Sequence, residues 1–462
     1  MRRSVSGCGA LRKAARTATL GVLLALAGCQ SMDLALGNRG PAAGTPGFVR
    51  GFLGAVVAEE PRAALVGREV LSAGGNAADA AVAVGLALSV TLPSRAGLGG
   101  GGVCVAFDAG RNEAVGFDFE ARAPATIATG SDRPAAVPML VRGLFAVQAR
   151  MGGRLAFERL VSPAEAMARF GVPVSRAFVA DLAPVAALLA RDPESAAVFA
   201  PRGTPLAEGD TLVQAQLAGT LGAVRTQGAG DLHVGQLARR IEEGSIAAGG
   251  AITLADLRAA IPRAQPAATQ PLGVNVVYLA PGPGSASAVN ALLTASEGNA
   301  DTRAATALAA APPGAAAPAS TAFTVLDRAG NAVACVLTMN NLFGTGRMVP
   351  GTGVLLAAAP TGRIVAPPLP AMIVGNQRVK AFRFAAAASG GASAPGALAA
   401  VAARTLGGLQ PPREALAATR PGLAQGEGRV AVIDCGNFLP GDPSQCRWAT
   451  DPRGAGLAVG GD

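Results

Sequence analysis

GGNAADAAVAVGLALSVTLPSRAGLGGGG, residues 74–102, is the stretch on which the fold turns. Gly74-Gly75 closes a helix candidate over 61–73 that begins at Pro61, and Asn76 stands where an N-cap is needed for a second helix. That second helix is apolar on every side apart from Asp79 and stops at Pro93, which describes a buried core helix. Gly99 to Gly102 then lead into a strand at Val103–Phe107. A second strand, Ala114–Phe119, follows across a turn at Gly110-Arg111-Asn112. The local unit is therefore a helix packed on a hairpin.

Working outward, residues 138–260 read as mostly helical. Ser162-Pro163-Ala164-Glu165 has the form of a capping box with Pro at the first helical position, and Thr253-Leu254-Ala255-Asp256 opens another helix. A strand is expected at 272–279, and Gly282-Pro283-Gly284-Ser285 leads into a helix through Leu293. Residues 300–319, rich in Ala and Pro, read as an exposed linker. A strand pair follows at Thr321–Asp327 and Ala332–Met339, turning at Ala329-Gly330-Asn331. Further strands are expected near 354–356, 371–374, 379–384 and 429–434, with helices at about 394–406 and 411–419. Both halves of the chain thus alternate helices with antiparallel hairpins.

The 462 residues suffice for one large domain or two intimately packed halves. Half are apolar but only 4% aromatic, so the core is expected to be built from small side chains, chiefly alanine. Gly (62) and Pro (33) make about a fifth of the chain, below the range that signals disorder. The net charge of +9 does not imply nucleic acid: Arg2, Arg3, Arg12, Lys13 and Arg16 supply more than half of it, and the other arginines are scattered.

Those five cations precede the apolar run 18–28, the pattern of a secretory signal. Eleven residues rise about 16 Å as a helix, too few for a bilayer core of roughly 30 Å. The run ends Leu26-Ala27-Gly28-Cys29, which resembles the bacterial lipobox. Residues 1–28 are accordingly expected to be a signal peptide, Cys29 the acylated anchor, 29–48 a tether, and the outer-membrane face of the periplasm the destination. In that oxidising compartment Cys435 and Cys446 are expected to form a disulfide, and Cys104 and Cys335 to be buried thiols. Membrane contact is expected through the lipid alone.

Chemistry-bearing residues are few. The one histidine, His233, lies in a polar helical stretch and reads as a satisfied surface residue; lysines are Lys13 and Lys380. A Ser-His-Asp or Cys-His site is therefore disfavoured, and no phosphate loop, dinucleotide fingerprint or metal motif is present, so no cofactor is expected. A chain this poor in bases can still transfer acyl groups through a Ser or Thr made N-terminal by self-cleavage and activated by its own α-amino group.

Here the residues resemble a known family. GGNAADAAVAVGLALSVTLPSRAGLGGGG and the following VCVAFD and GFDFEARAPA are similar to the γ-glutamyltransferases. So are Leu140–Gly152, 199–218, 249–257, 281–287 and STAFTVLDRAGNAVACVLTMNNLFGTG (320–346), and then 350–356 and 388–393. The resemblance spans roughly 50–435 and implies an α+β fold, the four-layer αββα sandwich of N-terminal nucleophile hydrolases. It implies a large-subunit-like region at 49–299, a small-subunit-like region at 320–462, and two subunits of one chain on cleavage. By the same resemblance Ser320 is the nucleophile, with Thr321 if the register slips by one. Thr338 supports it, Asn340 binds substrate, and Gly390 and Gly391 form the oxyanion hole. The implied reaction is transfer or hydrolysis of small γ-glutamyl amides.

Several positions depart from that pattern. Glu120 stands where the family has an Arg for the glutamate α-carboxylate, and the nearest Arg is Arg122. Ala357-Ala358-Ala359-Pro360 replaces an acidic pair, and Pro370-Ala371 a Ser pair. Glu cannot substitute for Arg opposite a carboxylate. Loss of catalysis, with retention as a binding or structural envelope lipoprotein, is the alternative these positions raise.

Overall fold

A computed structural model describes residues 41–127, 131–248, 250–311, 319–361, 364–423 and 427–461. The expected signal peptide, Cys29 and most of the tether lie outside them.

The chain opens with strand β1 (Gly54–Ala58), helix α1 (Pro61–Ser72) and helix α2 (Ala77–Thr91). Strands β2 (Gly101–Asp108) and β3 (Glu113–Phe119) form the hairpin read from the sequence, and helices α3 (Leu140–Arg150), α4 (Phe157–Phe170) and α5 (Ala215–Gln227) follow. Next come β4 (Arg263–Pro266), β5 (Ala268–Leu272), β6 (Asn275–Leu279), α6 (Pro283–Thr294) and α7 (Ala300–Ala310). The last third carries β7 (Ser320–Asp327), β8 (Ala332–Thr338), β9 (Ala371–Asn376), β10 (Ala381–Ser389), α8 (Ala394–Ala402), α9 (Pro412–Ala417), β11 (Arg429–Leu439), β12 (Cys446–Thr450) and β13 (Leu457–Gly461).

Two antiparallel sheets stack face to face. One has the order β13-β1-β7-β8-β2-β3-β4 and the other β12-β11-β10-β9-β6-β5. Helices α1 to α5 cover the outer face of the first, and α6 to α9 that of the second, which completes the αββα sandwich. The first sheet takes strands from both ends of the chain, and the second joins β5 and β6 to strands that follow Ser320, so the segments before and after Ser320 are woven together.

Strand β7 explains why the central strands look apolar throughout. Ala322 and Leu326 point into the layer between the sheets, while Phe323 and Val325 point to the helices. A strand covered on both faces needs apolar residues at every position, and the period of two decides only which layer each enters. The inter-sheet layer is filled largely by Ala and Val, as the composition suggests. Helix α2 is buried along its whole length and capped as read: Asn76 accepts from the Asp79 N–H, and Asp79 accepts from the Asn76 N–H.

Several expectations need correction. Residues 300–310 are helix α7, capped by Asn299 and packing Ala304 and Ala307 inward, not an exposed linker. Alanine is the strongest helix former, and the prolines begin only at Pro312. No helix starts at Ser162: α4 begins at Phe157 and runs through Pro163, because Leu160, Val161, Ala164 and Ala168 form one buried stripe. The strand expected over 272–279 is a hairpin turning at Gly273. Cys104 and Cys335 are not thiols but a disulfide, joining positions directly opposite on β2 and β8 and facing the same layer. Their separation of 231 residues gives no sequence signal. Cys435 and Cys446 are likewise joined, across β11 and β12.

His233 is not a surface residue. It is fully buried, its Nε2 lies 3.0 Å from the Pro138 carbonyl, and that acceptor requires Nε2 to carry the proton of a neutral ring. Burial, helped by nearby Arg142, lowers its pKa to about 4. The folded chain therefore binds fewer protons than the unfolded chain between that value and the ordinary one of 6.5. Stability held above pH 6.5 falls as the pH drops to about 4, by roughly 3 kcal/mol from this residue. Denaturation midpoints at pH 7 and pH 4.5 should converge in His233→Gln relative to the parent; an unchanged pH slope would refute this.

Candidate active site

Ser320, Thr338 and Gly101 lie side by side on β7, β8 and β2 at one end of the first sheet. Ser320 is the first residue of β7, and alternation puts its side chain on the face of Ala322, between the sheets. Gly390 and Gly391 follow directly on β10 of the second sheet, so the same gap brings them opposite. The Gly390 N–H donates to Ser320 Oγ at 3.2 Å. Both glycines have positive φ, 95° and 78°. A Cβ on Gly390 would sit 2.8 Å from the Gly428 nitrogen, so the close approach that exposes its N–H requires glycine.

Thr338 acts on the adjoining bond. Its Oγ1 donates to the Ala319 carbonyl at 2.8 Å and accepts from the Asn340 N–H at 2.8 Å. The Ala319–Ser320 peptide is thus held with a hydroxyl on its carbonyl oxygen and an amide on the following side-chain oxygen. Asn340, at φ 61°, uses its Nδ2 to hold the carbonyls of Ala121 and Ala358, each at 2.9 Å. It ties the loops after β3 and β8 to the site rather than offering those hydrogens to a ligand.

Thr321 faces the opposite way. Its Oγ1 lies 3.4 Å from Glu59 and not against the Gly390 N–H, which donates to Ser320 Oγ. Arg122 is engaged by Asp118 through two contacts of 2.6 and 2.9 Å. It lines a cavity with Asp256 and Arg263, not the cavity beside the paired glycines. As a carboxylate receptor it is already occupied.

A buried charge cluster that the sequence does not announce lies behind Ser320. Glu59, just past β1, accepts from Arg95 Nη1 and Arg429 Nε, each at 3.1 Å, and from the Ser389 hydroxyl. Arg95 also donates to Asp181 at 2.6 Å, which in turn accepts from Ser94 at 2.6 Å. Arg429 Nη2 reaches Ser389 Oγ at 3.2 Å and the Ser320 carbonyl at 3.5 Å. Burial lowers the Arg429 pKa, with Glu59 opposing. Two acids and two guanidiniums balance, and the cluster grips both Ser320 and the residue preceding Gly390. A hint existed: Arg429 opens the apolar run RVAVIDC, where a cation needs a buried partner.

The family pattern described as Gamma-glutamyltranspeptidase matches residues 63–310 and 299–359. The chain belongs to the gamma-glutamyltranspeptidase family. Among curated relatives, the glutathione hydrolase proenzyme of Escherichia coli (strain K12) is 35% identical over 228 residues, 46% of this chain and 39% of that protein. That of Bacillus subtilis (strain 168) is 32% identical over 221 residues, 44% and 37% of the two chains. The chain thus spans little more than a third of the length of these relatives. The crystal structure of cephalosporin acylase from Bacillus halodurans superposes with a TM-score of 0.72 over 89% of this chain and 96% of that one, at 20% identity. The sandwich is therefore that of gamma-glutamyltranspeptidase-type N-terminal nucleophile hydrolases.

Proposed function

We propose that this gamma-glutamyltranspeptidase-family chain cuts itself between Ala319 and Ser320 and then uses Ser320 to transfer or hydrolyse the acyl group of a small amide. The family's γ-glutamyl amides serve as the reference substrate. The observation that carries the reading is the pair of contacts on one peptide: Gly390 N–H on Ser320 Oγ, and Thr338 Oγ1 on the Ala319 carbonyl.

In self-cleavage, Ser320 Oγ bonds to the Ala319 carbonyl carbon and the Thr338 hydroxyl stabilises the oxyanion. The C–N bond breaks, its nitrogen takes the hydroxyl proton, and the resulting ester is hydrolysed by water. The products are an Ala319 carboxylate and a free Ser320 amine. That amine then removes the proton from Oγ as it attacks an amide carbonyl. The acyl oxyanion is met by the Gly390 N–H, a donor of the kind worth about 3 kcal/mol. The leaving amine takes the proton back, and water or an acceptor amine releases the acyl group.

A second reading, retention as an inactive binding or structural lipoprotein, is favoured by Glu120, Ala357–Ala359 and Pro370-Ala371 at the family's ligand-recognition positions. Under either reading we propose a signal peptide at 1–28, acylation at Cys29 and a place at the outer membrane facing the periplasm; this rests on the sequence of 1–29. Intact mass of the purified protein decides between the two. Two fragments, the smaller beginning at Ser320, are expected; a single chain would leave only the second reading.

A further inference from the structure

A cavity of about 370 Å³ opens beside the paired glycines, with Ala392 forming part of its wall. Its walls are otherwise mostly apolar: Val103, Pro281, Pro367, Pro368 and Leu369 among them. Among the described residues no Arg, Lys or His lines it, and the ionisable group that does is Glu120. The first turns of α6 and α8 reach the rim with Pro283 and Pro395, which have no N–H, and α6 adds Gly284 and Ser287, neutral groups without a charge.

Glu120 is placed to read what enters. It extends β3 by one residue, level with the row of Gly101, Thr338 and Ser320. Its side chain is 29% exposed. Burial, and then the Asp118 carboxylate, raise its pKa, with Arg122 opposing. Arg122 is 3.9 Å away and bound more closely to Asp118, so Glu120 keeps acceptor capacity toward the cavity.

Resting on the nucleophile reading above, we propose that this cavity takes an acyl group with an apolar stem and an amino end, and that Glu120 receives that amine while excluding carboxylates. A carboxylate there would meet a like charge and an apolar wall, with no cation among the described lining residues to replace its water. An ammonium would exchange water for a half-buried carboxylate, the stronger kind of charge-assisted hydrogen bond. The donor is therefore an ω-amino-acyl amide, distinct in charge from a γ-glutamyl amide.

Two measurements on the whole purified protein test this. Calorimetric titration with 4-aminobutyramide and with the monoamide of glutaric acid compares an ammonium end with a carboxylate end on the same stem. Binding of the amine is expected to be tighter by on the order of tenfold or more, and Glu120→Arg should invert the order. Equal binding, or preference for the glutaric monoamide, would overturn the assignment. Turnover of 4-aminobutyryl, glutaryl and γ-glutamyl p-nitroanilides is read in parallel. Faster release from the γ-glutamyl donor would also overturn it. Selective amine binding with no turnover of any donor would keep the cavity assignment and remove the Ser320 reading instead.

Discussion

Ser320→Ala is expected to leave the chain as a single uncut polypeptide and to lower amide turnover by a factor on the order of 10⁴–10⁶. In the proposed mechanism one atom serves both steps: Ser320 Oγ attacks the Ala319 carbonyl first and the substrate carbonyl afterwards. Deleting it leaves Gly390 and Thr338 in place, so the variant should fold and retain ligand binding. The geometry also separates Ser320 from its neighbour. Thr321→Ala removes a hydroxyl directed at Glu59 rather than at the Ala319–Ser320 peptide and should still be cut before Ser320. Ser320→Thr keeps a hydroxyl at the same position and should cut more slowly but detectably, since a β-branched side chain has fewer rotamers available in a packed strand. Gel and intact-mass assays over time distinguish these outcomes. Cleavage in Ser320→Ala, or its loss in Thr321→Ala with folding intact, would displace Ser320 from the mechanism.

How much of this was readable in the sequence depends on whether the signal is local. Helix α2, its Asn76 cap and the β2–β3 hairpin rest on patterns within a dozen residues of one another, and these stand as read. Ser320, Thr338 and the paired glycines lie on strands whose alternation assigns faces, so their meeting follows once the two sheets stack. What was hidden is what only the stacking creates. Glu59, Arg95, Asp181 and Arg429 come from four separate segments, and no spacing between them carries meaning. The Cys104–Cys335 bridge depends on β8 pairing with β2 across most of the chain. His233 appeared exposed because its neighbours in sequence are polar, while the burial comes from the Pro138 segment. Arg122 looked available because its partner, Asp118, was read as part of a strand rather than as a receptor.

The buried cluster supplies the other large effect. Removing Glu59 leaves Arg95 with Asp181 but takes from Arg429 the buried carboxylate that its Nε donates to at 3.1 Å. Glu59→Leu should therefore lower stability by about 3–5 kcal/mol, and Arg429→Met by a similar amount, because each removes one partner of a buried ion pair. The double variant removes one charge of each sign and keeps the Arg95–Asp181 pair intact. It should be more stable than either single variant, with a coupling energy of about 2 kcal/mol or more between the two sites. Stability and catalysis should then part company. Without Glu59 and Arg429, nothing charged holds Ser389 and the Ser320 carbonyl, so the spacing between Gly390 and Ser320 Oγ is set by packing alone. Self-cleavage in the double variant should stay slow even where denaturation shows the fold restored. Additive losses of under 1 kcal/mol each would mean that the cluster behaves as exposed ion pairs do. Full recovery of cleavage in the double variant would mean that it stabilises the sandwich without positioning the nucleophile.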